Sequence, residues 1–179
     1  MSDVGERSRV SVLLADYAAA DAVGKVNVLG VGWSITALNP QSGTTTPQTV
    51  VVMVDSPPDL YGEDFALSLT LRNSDGHPVE VPGPTGAPQA MRVGQNVHID
   101  EPAFPPGTNV PRHTMWAHTQ VLLNLGNGIP LPPGHLYTWS VDIDGTHRTD
   151  WEVSFFVVAP PSLPVFGGPA GPSDIPDVF

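Results

Sequence analysis

Five side chains in the middle of the chain could together bind a metal: His98, Asp100, Glu101, His113 and His118. A metal-dependent jelly roll needs a His-x-His pair and a later Glu and His on facing strands. The sequence has no His-x-His, and His113 and His118, five apart, point to opposite faces of a regular strand. The spacing favours solvated loop histidines, and no metal ligand is assigned. Asp142, Asp144 and Asp150 could supply oxygen ligands to calcium, but their spacing is not that of an EF-hand loop and Asp144-Gly145 reads as turn chemistry. Neighbouring carboxylates such as Glu63 and Asp64 face opposite ways on a strand, so they make poor acid and base partners. Gly32-Trp33-Ser34-Ile35-Thr36 is similar to a nucleophile elbow without its final glycine, and it falls within a predicted strand rather than on a strand-to-helix turn. No catalytic residue and no cofactor is assigned.

Trp33, Trp116, Trp139 and Trp151 could stack on sugars. Trp139 and Trp151 alternate with apolar neighbours and belong to a core pattern. Trp116 follows the irregular stretch Pro102 to Pro111 and is the one predicted to meet a partner. The last segment adds Leu163, Val165, Phe166, Ile175, Val178 and Phe179, apolar beads spaced along a chain of prolines and glycines that can form neither helix nor inner strand. These seven residues are the candidate partner-binding set. An extended arm adds contact area with little entropy to lose.

The elements that must position these groups are strands. Residues 24 to 38 are uncharged after Lys25 and rich in β-branched side chains, which predicts a long central strand. One face of it carries Leu29, Val31, Trp33 and Ile35; the other carries Val26, Val28 and two glycines. Val10 to Ala15 precedes it as a first strand, with a short helical turn expected over Ala18 to Val23, capped by Asp16 and closed by Gly24. Thr49 to Val54 is an almost wholly apolar strand. Phe65, Leu67, Leu69 and Leu71 alternate with small or polar residues, and Asn73-Ser74-Asp75-Gly76 turns the chain so that His77 to Val81 returns beside them. Met91 to Ile99 and Met115 to Leu125 continue the strand pattern. Tyr137 to Ile143 and Trp151 to Val157 form a last hairpin about Asp144-Gly145.

Eight or nine short strands with almost no helix predict an all-β sandwich, immunoglobulin-like or C2-like, with a jelly roll as the alternative. The predicted organisation is a loose lead-in over residues 1–8, a sandwich domain over 9–159 and an extended C-terminal arm over 160–179. A chain of 179 residues can bury a sizeable core as one domain. It has no cysteine, so disulfides and thiolate sites are excluded. Eighteen Asp plus Glu against 7 Lys plus Arg leave a formal charge of −11, which opposes binding to phosphate backbones. No run approaches the length needed to span a bilayer, and Asp16 and Asp21 interrupt the only stretch that could pass for a signal peptide. Neither nucleic acid nor membrane is an expected partner.

Leu13-Leu14-Ala15-Asp16 followed by Gly24-Lys25-Val26-Asn27-Val28-Leu29-Gly30-Val31-Gly32 resembles the opening of an uncharacterised family of small β-sandwich proteins from actinobacteria and their bacteriophages. Pro132-Pro133-Gly134, Tyr137-Thr138-Trp139, Asp142-Ile143-Asp144-Gly145 and Phe155-Phe156-Val157-Val158 extend the resemblance over most of residues 10 to 158. It implies a fold and an origin and transfers no catalytic residue. The expectation that follows is a non-enzymatic structural or interaction protein of a phage virion, such as a capsid decoration or minor structural protein. Its partner would be a capsid or other virion protein, or its own copies, and its location the virion, or the cytoplasm if it is host-encoded. The alternatives are a bacterial carbohydrate- or ligand-binding module built around Trp116 and a metal-dependent, cupin-like enzyme.

Overall fold

The computed structural model describes residues 2–22, 24–83 and 85–159. It is an all-β sandwich. Twelve strands are present among these residues: β1 (Arg9–Ala15), β2 (Tyr17–Ala20), β3 (Val26–Leu29), β4 (Ile35–Ala37), β5 (Gln48–Ser56), β6 (Asp64–Asn73), β7 (Glu80–Pro82), β8 (Pro88–Ala90), β9 (Arg92–His98), β10 (Ala117–Leu125), β11 (His135–Ile143) and β12 (Thr146–Val158). A three-stranded sheet of order β1-β5-β10 faces a five-stranded sheet of order β4-β12-β11-β6-β9. All pairings are antiparallel except that of β4 with β12.

The core lies between the sheets. Val50, Val52 and Val54 of β5 meet Phe65, Leu67, Leu69 and Leu71 of β6, Trp139 and Val141 of β11, and Trp151, Phe155 and Val157 of β12. Each set keeps the period of two that places alternate side chains on one face. The expected lead-in is instead a short helix, α1 (Asp3–Arg7), whose Val4 joins this core. A single buried valine gives the segment a docked position that its charged neighbours did not suggest.

β5 is apolar on both faces because both are covered. Its outward residues Val51 and Met53 pack with Ala18 of β2 and with Val26 and Val28 of β3, so the β2–β3 hairpin forms a third layer over half of the small sheet. This corrects two expectations. The alanines after Asp16 are a strand rather than a helical turn, because pairing with β3 buries Ala18 where an isolated turn would leave it wet. The long strand over 24–38 is broken into β3 and β4, since Gly30 and Gly32 both take positive φ between them. Gly30 is required twice over: its φ is 66°, and a Cβ there would fall 2.0 Å from Asp16 Oδ2.

The break also reverses which side of this stretch is buried. Val26 and Val28 face inward, while Leu29, Val31 and Ile35, three of the four bulky residues, are exposed; Trp33 alone turns in, edge-on to Phe155. The return after Asp75-Gly76 is shorter than expected. Pro78 bridges Arg72 and Val79 N–H donates to Leu71 O, after which β7 leaves to pair with β8. The hairpin β11–β12 turns at Asp144-Gly145 as expected, with a bulge between Ser140 and Asp142. No helix among the described residues is long and apolar enough to cross a membrane.

Candidate functional site

The histidines named from the sequence do not converge. His98, at the end of β9, places Nδ1 2.8 Å from Asp64 Oδ1 on β6, with Asp100 at 3.9 Å from Nε2. His118 places Nδ1 2.7 Å from Asp55 on β5. His113 stacks on Tyr61 at a centroid distance of 5.5 Å, and Tyr61 O–H donates to Met115 O, so this pair fastens the end of the long loop to the sandwich. Glu101 is exposed on that loop. Among the described residues no group of three or more His, Asp or Glu side chains is placed to hold a metal ion. Asp142 accepts from Gly145 N–H and Asp144 from Ala66 N–H, which is turn and bulge chemistry; Asp150 pairs with Arg148. Asp64 is engaged by His98; Glu63 and Asp64 are both exposed and border one shallow cavity with Asp59 and Asp144.

Electrostatics follow these pairs. The hydrogen bond that His98 donates to Asp64 raises His98 above its ordinary value of 6.5; desolvation opposes this, and the charges of Asp64 and Asp100 add to it. Asp59 is lowered, chiefly by its hydrogen bond from Arg7 of α1. Burial raises Tyr137, whose hydroxyl donates to Pro132 O at 2.9 Å.

Trp116 lies at one end of the small sheet's outer face, just before β10. Arg9 and His118 flank Asp55 there in register, and the Arg9 guanidinium sits 4.8 Å from the centre of the Trp116 ring. With Thr114 and Met115 these residues line a shallow cavity of about 310 Å³. The other end of the same face is roofed by the β2–β3 hairpin, so among the described residues this end is the open one. Arg9 covers one face of the indole by a cation–π contact, which takes away one stacking surface for a sugar. Leu163, Val165, Phe166, Ile175, Val178 and Phe179 lie outside the described residues.

An exposed apolar row is the feature that sequence reasoning missed. Ile35 of β4, Phe156 of β12 and Leu136 of β11 are consecutive partners across three strands, on the outer face of the large sheet, and they are 62%, 37% and 45% exposed. Tyr17 and Leu29 form a second exposed pair across the β2–β3 hairpin, and Val31 stands on the segment between them and Ile35. The signal was present as the bulky face of residues 29–35. It read as core because alternation alone does not say which face is buried.

Comparison of the sequence with protein-family models and with curated proteins finds no match.

Proposed function

We propose that this chain is a non-enzymatic interaction protein of a bacteriophage virion, a capsid-decorating or minor structural component that associates with its own copies and with the particle. The observation that carries the reading is the row Ile35–Phe156–Leu136. Apolar side chains placed side by side across three strands gain from being covered, at roughly 25 cal/mol for each Å² removed from water. The row gives an apolar contact element for repeated association, and β12 leads from Phe156 to Ala159, where the described residues end. The virion assignment rests on the family resemblance of the Asp16 and Gly24–Gly32 block. Mass spectrometry of purified particles from a strain carrying the gene tests it. The chain is expected at a fixed copy number relative to the major capsid protein, and its loss from particles in an Ile35→Ser, Phe156→Ser variant is expected. Particles free of the chain would contradict the reading.

A further inference from the structure

The outer face of the large sheet changes character away from the apolar row. Between β9 and β12 it carries mostly polar and small residues, and its register sets out two rows: Arg92, Thr70, Ser140 and Glu152, then Gly94, Ser68, Asp142 and His147. Pro78 and Ala90, before β7 and at the end of β8, rise beside it and enclose a cavity of about 300 Å³. Ser140, although on an outer face, is only 3% exposed.

Two of the chain's seven cationic side chains line this cavity, and each is held in place by neutral oxygens. Arg72 donates from Nε to Ser140 Oγ at 3.0 Å and from Nη1 to Gly76 O at 2.9 Å, while Ser140 Oγ donates to Thr70 O. Arg92 donates from Nη2 to Ser68 Oγ at 3.1 Å. Among the described residues neither guanidinium has a carboxylate within ion-pair distance, as Arg7 and Arg148 do. Each therefore keeps its charge and spare N–H donors. Asp142 also lines this cavity and Asp144 the groove beside it, each accepting a backbone N–H on Oδ1, while Glu152 faces His147 Nε2 at 3.1 Å, the other ring nitrogen of which meets Val141 O.

We infer that this cleft is a binding site for an acidic saccharide, with the sugar carboxylate between Arg72 and Arg92. The guanidinium fork matches a carboxylate in two parallel hydrogen bonds, and pre-bonding to Ser68 and Ser140 fixes both side chains before the ligand arrives. The cavity opens into a larger groove of about 950 Å³ bordered by Gln89, Gln95 and Asn96, with Gly94 leaving its floor low. Amide side chains both donate and accept, which suits the hydroxyls of a sugar ring. The groove offers no large exposed apolar side chain to hold a peptide. The site is separate from the apolar row, so it stands whether or not the protein assembles through that row.

Titration of the isotope-labelled full chain with D-glucuronate, followed by backbone amide shifts, tests the inference. Saturable shifts centred on β6, β8, β9 and β11 are expected, with glucose causing none. Arg92→Gln, at an exposed position, and Arg72→Gln each weaken binding by at least about tenfold, the scale of a lost charge-assisted bond. No saturable shift with glucuronate, equal binding of glucose, or full affinity in Arg92→Gln would overturn it. N-acetylglutamate binding as tightly as glucuronate would overturn the saccharide assignment in favour of an acidic peptide.

Discussion

His98 and Asp64 join β9 to β6 at the solvent-facing end of a sheet edge, and their effect has a definite sign. The folded state holds the His98 proton more tightly than the unfolded chain does, so the stabilisation is complete below pH 6.5 and fades as pH rises through the folded value. Proton NMR of the ring is expected to show a midpoint above 6.5, falling back toward it in Asp64→Asn. Gly128 gives a second prediction. It sits at φ 67°, and a Cβ there would fall 1.9 Å from Thr45 O, which is backbone and cannot rotate away. Gly128→Ala is expected to cost about 2 kcal/mol or more in denaturant unfolding. Trp139 and Trp151 were legible as core because each continues an alternating strand. Arg72, Arg92 and Ser140 were not legible as a cluster. They lie on three strands far apart in sequence, and only the register of β9, β6 and β11 makes them neighbours.

At the scale of elements, β5 is the strand covered on both faces, by the main core and by the β2–β3 hairpin. Amide hydrogen exchange is expected to be slowest in Val50–Val54 and fastest, among strands, in the three-residue edge β4. Equal exchange in β4 and β5 would mean that the hairpin is not a packed layer. The apolar composition of Thr49 to Val54 already implied burial on two sides. What covered the second side was hidden, because Ala18-Ala19-Ala20 has strong helix propensity and its pairing with Val26–Val28 is a tertiary choice. The strands that alternate cleanly, β6, β11 and the later part of β12, were readable nearly to their ends. The stretch after Gly24 was not, since two glycines in a β-branched run fit a bulged strand as well as a break, and it is the positive φ that both adopt, with Asp16 packed against Gly30, that makes the break.

Over the whole molecule, the large sheet of the sandwich presents an apolar row at one side and an arginine-lined cleft beside it. With a formal charge of −11 per chain, copies repel one another before they touch. Association through the row is therefore expected to tighten as salt rises, opposite to an interface held by ion pairs. Sedimentation velocity of the purified full chain is the most direct test. A species larger than one chain is expected, its population growing with protein and salt concentration and reverting to a monomer in the Ile35→Ser, Phe156→Ser variant. A wild-type chain that stays monomeric across both ranges, indistinguishable from the variant, would contradict it.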